Sequence, residues 1–482
     1  MSEAGYDTTG ARRHGAGTHH PVGAVGQYTA GAQHEGGELH TAGTGEPHPA
    51  EAGARRTAET RHEAGAASGG AGPGLAPPAR RVAFLDVARA LAMIGVVMMN
   101  ASSVVYPVEM SGNRVPGVLT DLVDGGLTLL MSGRARTMLM VLLGAGVVLA
   151  WRAAARRGGR PAAVMLRRYA VLGLLFGLPH LAVFDGDILT QYSVAALLLT
   201  PLVPLLLGGS RRRPLVAAAV LFAAVPVSDL LLSPFLGDHT WGASAMLVPQ
   251  TLGFFCVGVW LARRPELTAD PATGARGASR LPLRMLVFGA VVQGLSVVLM
   301  LVGSLVFPTE FGADGVPVRS VGETVVVLLG NTLLNLGGAL FYLGLVWWLV
   351  LRGRRASRVL GALAPLGRMT LTVYLGSTAV FLAVMGPFEG TVPLLAQYAL
   401  AAAYFAATVV LAHLWARRFR LGPLEWVWRS LTHLRPVPLR AERSGSPAAD
   451  GGTARHLNPT ASDGGGAHPP TTAEPDPTRT TP

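Results

Sequence analysis

Lysine is absent from the 482-residue sequence, cysteine occurs once, and only 14% of the residues are charged. Each shortage excludes something. The lone Cys256, set in the apolar run TLGFFCVGVW, permits neither an intramolecular disulfide nor a cysteine-ligated metal cluster and reads as a small buried side chain. Without lysine, the formal net charge of +12 is carried by arginine alone. That usage marks a GC-rich genome as readily as a functional choice, so nucleic-acid binding does not follow from the high pI. No apolar segment precedes residue 81, so no cleaved secretory signal is expected, and the first apolar segment is read as a retained membrane anchor.

What is present is apolar: half of the residues are hydrophobic and the mean hydropathy is +0.40, a balance that suits lipid rather than water. The excess is concentrated. Residues 1–80 and roughly 435–482 are rich in Gly, Ala, Pro, Thr, Glu and Arg and are expected to be disordered tails. Seven of the thirteen histidines lie scattered in the first tail without the spacing a metal site needs, and no metal ligand set is read anywhere.

A membrane helix needs about 20 apolar residues. Ten candidates follow: 83–106, 135–151, 169–185, 187–207, 215–233, 244–262, 285–307, 323–351, 367–386 and 393–415. The predicted fold is therefore all-α, a polytopic membrane protein of about ten helices within residues 81–421. The loops after the even-numbered helices hold 22 arginines, among them Arg167, Arg168 and Arg211–Arg213, whereas the odd-numbered ones hold mainly Asp and Glu. Short arginine-rich loops stay in the cytoplasm, which places both termini there in a bacterial plasma membrane. Residues 422–434 follow the last span as an amphipathic interfacial helix, with Leu424, Val427, Trp428 and Leu431 on one stripe opposite Glu425 and Arg429. The segment 117–137, between the first two spans, is too polar to cross and reads as interfacial or re-entrant.

Polar and ionisable residues inside spans are rare and so are candidates for function. In the first helix Asp86 and Arg89 stand one turn apart, with Asn100 farther along the same face; a structural pair pinning the helix explains them equally well. The densest group is GLPHLAVFDGDILTQYS, which supplies His180, Asp185, Asp187, Gln191 and Tyr192. A histidine beside a carboxylate is the minimum for general-base work, because the carboxylate selects the tautomer and supports the imidazolium. An aspartate-capped turn with His180 bonded between helices is the structural alternative. Asn331 and Asn335 (i, i+4), and Thr370, Tyr374 and Ser377 (i, i+4, i+7), form polar stripes that line a cavity or knit helices together.

These motifs resemble a known family. RVAFLDVARALAMIGVVMMN, MLMVLLGAGVVL, GLPHLAVFDGDILTQYSVAALLL, GRMTLTVYLGS and GPLEWVWRSLTH are similar, in order, to stretches of the YeiB-like bacterial membrane proteins, domain-of-unknown-function family 418, across residues 81–434. The chain departs from the family pattern at Ala88–Ala90, at Gly133–Ala135 and at Val373, and where the family has a Lys this chain has Arg134, which supplies a cation but no equivalent acid–base group. The family's first helix is in turn similar to those of sugar O-acyltransferases and heparan-glucosaminide acetyltransferases, in which an Arg is followed after ten residues by His or Asn; Arg89 and Asn100 fit the second form. That resemblance implies acyl transfer from an acyl-CoA co-substrate to a sugar or small-molecule acceptor, with His180 as base, Asp187 or Asp185 orienting it, and Arg89, Arg134, Arg167 and Arg168 available to phosphates. The alternatives are a transporter or flippase for a lipid or secondary metabolite, and an accessory membrane protein. No tightly bound cofactor and no nucleic-acid partner are expected, and oligomeric state is not read.

Overall fold

The computed structural model describes residues 83–104, 117–236, 247–268, 279–311, 317–352, 354–388 and 391–440. The histidine-rich tail and residues 441–482 fall outside them, as do Arg80, Arg81, Arg114 and Arg276. The helices in chain order are α1 (Ala83–Ala101), α2 (Val118–Met131), α3 (Arg134–Arg156), α4 (Pro161–Val171), α5 (Leu178–Leu181), α6 (Leu189–Leu199), α7 (Val203–Leu207) and α8 (Arg213–Leu236). The second half holds α9 (Val248–Ala262), α10 (Leu281–Val306), α11 (Val321–Arg352), α12 (Arg354–Gly361), α13 (Ala364–Gly367), α14 (Thr370–Met385), α15 (Leu394–Ala416) and α16 (Pro423–His433). A two-residue antiparallel ladder pairs Glu310 with Val318 in the α10–α11 connection.

Among the described residues, nine stretches are long and apolar enough to cross a membrane. The tenth expected span, α9, has 15 residues. At ~1.5 Å per residue it is about 22 Å long, and it lies in the interior, with Phe254, Phe255, Cys256 and Val259 all buried against α3 and α8. The chain is an all-α, multi-pass membrane protein. The 14-residue α2 reaches only about 21 Å, less than the ~30 Å hydrocarbon thickness. It joins α3 through a turn at Gly133, whose φ of 69° is left-handed and where a Cβ would strike the Asn335 amide, so only glycine fits.

α1 is central, packing on α3, α11, α14 and α15 with 67% of its apolar window buried, whereas α10 is peripheral at 17%. The outer faces of α8 and α10 carry Val216, Val220, Phe288, Leu295 and Leu305 exposed, as hydrocarbon contact requires. Bundle helices in lipid gain nothing from expelling water and instead approach closely over small residues. α3 and α9 do so at Gly144 and Gly258: a Cβ on the first would meet the Phe255 carbonyl oxygen, and on the second that of Val141.

The interfacial helix α16 differs from its sequence reading in one respect. Glu425, expected on the polar side, is 6% exposed, while Leu431 of the expected apolar stripe is 41% exposed. The cause is the open N-terminus of α14. Glu425 Oε1 accepts the N–H groups of Leu371 (2.6 Å) and Thr372 (3.1 Å), and Oε2 accepts the Thr372 hydroxyl (2.6 Å). These are the orphan donors of a helix start, satisfied here by a carboxyl 54 residues from Leu371 and 53 from Thr372. Residues 435–440, read as the start of the tail, fold back: Trp426 Nε1 donates to the Val437 carbonyl at 2.8 Å and Phe419 bridges Arg440.

Burial raises the Glu425 carboxyl above its ordinary 4.5 despite the Thr372, Leu371 and backbone donors that oppose the shift. A docked α16 therefore holds its proton more tightly than a released one, so docking is firmest below pH 4.5 and weakens as pH rises through the raised value. Fluorescence of Trp426 and Trp428 titrated from pH 4 to 8 should report that loosening. Glu425→Gln, which keeps one acceptor oxygen, should flatten the titration; an unchanged curve in the variant would assign the transition to another group.

Candidate functional site

The site grows from an irregularity in the third span. After α4 the chain winds into a π-helix, Leu172–Gly177, before α5. Pro179, in the first turn of α5, has no N–H to return to the preceding turn, and the wider π-turn absorbs that loss. The re-phased helix turns His180 inward, where it is 5% exposed.

His180 Nδ1 lies 2.7 Å from Asp187 Oδ1, and Nε2 lies 2.9 Å from Thr378 Oγ1 of α14. Asp187 is itself anchored, because its two oxygens accept the N–H groups of Leu189 (3.0 Å) and Thr190 (2.7 Å) at the start of α6. The carboxylate so held selects the tautomer with the proton on Nδ1, leaving Nε2 as the acceptor that faces the Thr378 hydroxyl. Tyr374 covers the imidazole at 4.8 Å between ring centroids, and its hydroxyl accepts the Ile188 N–H at 3.4 Å. Phe184 closes the ring's edge. Asp–His–hydroxyl in this order is the arrangement that lets a neutral imidazole withdraw a proton from an oxygen nucleophile.

A cavity of about 270 Å³ opens on this group. Its walls are Leu175, Phe176, Pro179, Val183, Leu375, Ala379 and Leu382, with His180 and Thr378 on the floor. Leu175, on the outer surface of the membrane-crossing stretch Pro161–Leu181, is 47% exposed, and Val183, in the turn that follows, is 55% exposed, so the cavity opens on the lipid-facing side near the end of that stretch. Twelve residues separate Arg168 from His180, about 18 Å of helix, and the exposed turn at Asp185 and Gly186 follows within two helical turns. His180 thus stands one residue from the end of the membrane-crossing stretch Pro161–Leu181, beside the exposed turn.

The other residues singled out in the sequence distribute around this center. Asp185 is exposed and stands outside the His180 group. Gln191 and Tyr192 are buried one turn along α6, where Gln191 Oε1 accepts from the Arg136 guanidinium and the Tyr192 hydroxyl donates to the Arg136 carbonyl at 3.1 Å. Arg134 is buried over Gly338 and donates to the Ser132 carbonyl at 3.3 Å, close to Asn335 across Gly133; Asn331 is half-buried one turn before Asn335. Asp86 and Arg89 pair at 3.3 Å. They sit at the opposite end of the bundle from the Asp185 turn, since the Asp86 carbonyl abuts Gly367 just before α14. Asn100, near the end of α1, keeps a buried amide nitrogen without a hydrogen-bond partner.

Arg167 and Arg168 are engaged with α16. Arg167 Nε donates to the Thr432 carbonyl, the Arg168 guanidinium lies 3.9 Å over the Trp428 ring, and Trp428 Nε1 donates to the Arg168 carbonyl at 2.7 Å. Burial together with the cations Arg157, Arg168, Arg435 and Arg167 pushes the His433 imidazole below its ordinary 6.5. Three contributors escaped the sequence reading. Thr378 follows Tyr374 at i+4, but the polar stripe runs as readily to its neighbour Ser377 at i+3. Arg136 carries no motif signal in the sequence, and Glu425 stands on the polar face of its helical wheel.

The C-terminal part of the chain, residues 283–435, matches the family model described as "Protein of unknown function (DUF418)". The "Uncharacterized protein YxaH" of Bacillus subtilis (strain 168) is 24% identical over 422 residues, covering 74% of this chain and 96% of its own length. The "Uncharacterized 39.9 kDa protein in amylase 3'region" of Bacillus acidopullulyticus is 25% identical over 367 residues, with the same two coverages. The family resemblance read from the motifs is thereby found independently, in relatives whose names assign no activity.

Proposed function

For this multi-pass membrane protein of the DUF418 type, we propose acyl transfer at the bacterial plasma membrane, with His180 as general base and Asp187 as the residue that positions it. The observation that carries this reading is the buried Asp187–His180–Thr378 relay beside a largely apolar cavity, two hydrogen bonds of 2.7 and 2.9 Å. His180 takes the proton from an attacking hydroxyl or amine and returns it to the leaving group. The donor is an activated acyl ester, acyl-CoA being the first candidate, and the acceptor a sugar or small molecule. Arg167 and Arg168 are poor candidates for the coenzyme phosphates because their contacts with Trp428 and Thr432 already explain them. Arg89, half-buried and paired with Asp86, stands at the bundle end that carries α16, away from His180.

Detergent-purified protein should consume an acyl thioester, and His180→Ala should not. Failure to bind at millimolar acyl-CoA, combined with solute uptake into reconstituted liposomes and no acylated product, would replace this reading with transport.

A further inference from the structure

We propose that Thr378 is the nucleophile of this site and that the group it takes up is an aliphatic acyl chain presented from the bilayer. The inference rests on the acyl-transfer reading above and adds a covalent intermediate and a substrate class to it.

Two adjacent hydroxyls on α14 have different occupations. Ser377 Oγ donates to the Tyr374 carbonyl at 2.7 Å, the usual fate of a helical serine, and is fully buried. Thr378 Oγ1 instead faces His180 Nε2 at 2.9 Å and lies on the cavity floor. A hydroxyl bonded to an imidazole whose other nitrogen is held by a carboxylate is an activated nucleophile, while a hydroxyl bonded to a backbone carbonyl is not.

The cavity then decides what reaches that hydroxyl. At about 270 Å³ it is slightly smaller than the sites that enclose whole small-molecule ligands. Leu175, Phe176, Val183, Leu375, Ala379 and Leu382 line it beside the reactive pair. Such walls offer a sugar nothing to bond, yet they match a hydrocarbon chain, and the mouth opens where such chains already are. The acyl chain lies along this groove with its carbonyl at Thr378.

Thr378 Oγ attacks that carbonyl while its proton passes to His180 Nε2. The tetrahedral adduct collapses, the bond to the leaving alcohol or thiol breaks, and the leaving atom takes the proton back from Nε2. The acyl group remains as a threonine ester. An acceptor hydroxyl or amine then gives its proton to Nε2 and attacks the ester, and Thr378 leaves as the alkoxide and recovers that proton. No oxidant or other co-reactant is consumed. A long-chain acyl thioester and a glycerophospholipid present the same chain chemistry, and experiment separates them.

The full-length protein in nanodiscs is incubated with acetyl, decanoyl or palmitoyl thioester, or with a phospholipid bearing a labelled acyl chain, and the adduct is mapped by peptide mass. The expected adduct falls at position 378, is absent from Thr378→Ala and persists in Thr378→Ser. Referred to the free aqueous concentration of a subsaturating thioester, its yield rises about fourfold per methylene until the groove is filled. Ala379→Phe, which fills the groove from its exposed wall, shifts the preference to shorter chains. The arm that labels identifies the source. Thioester consumption that needs His180 but proceeds at full rate in Thr378→Ala without any adduct would overturn the inference and leave the base reading standing. An adduct mapped elsewhere, or a yield independent of chain length, would also overturn it, and the absence of both consumption and adduct sinks the two together. If Thr378→Ala does not fold, mapping in Thr378→Ser decides the same question.

Discussion

Replacing His180 with Ala should lower acyl turnover by about 10²- to 10⁴-fold, the range expected when a positioned general base is removed. The loss should fall on kcat, because the imidazole acts as the proton moves and contributes little to holding the chain. Asp187→Asn is the sharper version. The amide keeps the shape and retains one acceptor for the Leu189 or Thr190 N–H, but it no longer enforces the Nδ1–H tautomer, so Nε2 ceases to be a dependable acceptor. Its turnover should fall nearly as far as that of His180→Ala while the protein stays folded. Thioester consumption measured beside the thermal melt of each variant checks both statements. A His180→Ala protein retaining more than about a tenth of the wild-type rate would be incompatible with any general-base role, since even weak base catalysis exceeds that margin.

The largest effect on the fold itself is expected at the α3–α9 crossing. Gly258→Val places a branched side chain where a Cβ already overlaps the Val141 carbonyl oxygen and the Ala145 amide, and neither backbone can retreat without parting the two helices. The expected cost is about 1–3 kcal/mol or more, seen as a lower melting temperature and a broadened elution profile in detergent. Gly125→Ala is the control. It lies in α2 with open space around its Cβ, so the substitution should be neutral or slightly stabilising. Equal melts for Gly258→Val and wild type would mean that these helices do not cross as described.

Much of this architecture is legible in the sequence because runs of about 20 apolar residues have few destinations other than the bilayer. Nine of the ten expected spans correspond to stretches long and apolar enough to cross among the described residues, and the tenth, α9, is a shorter apolar helix buried in the interior. The proximity of His180 and Asp187 is legible, and its form is the aspartate-capped turn offered in the sequence as the structural alternative: the helix breaks after Leu181, the chain turns back, and Asp187 caps α6 while His180 bonds across to α14. Thr378 is illegible as His180's partner because 198 residues separate them and nothing local distinguishes it from Ser377. Glu425 misleads for a related reason. A helical wheel places it opposite an apolar stripe, and the wheel carries no information about the unsatisfied start of another helix.

α16 holds Arg168 on the helix that runs on to His180 and, through Glu425, the first turn of the helix that bears Thr378. A genetic screen for loss of function should therefore return two groups of alleles that look unrelated on the map. One falls at positions 180, 187 and 378, and the other at 425 and 428, dozens of residues from any reacting atom. Alleles of the second group should be rescued by suppressors that re-seat the helix, whereas those of the first admit none.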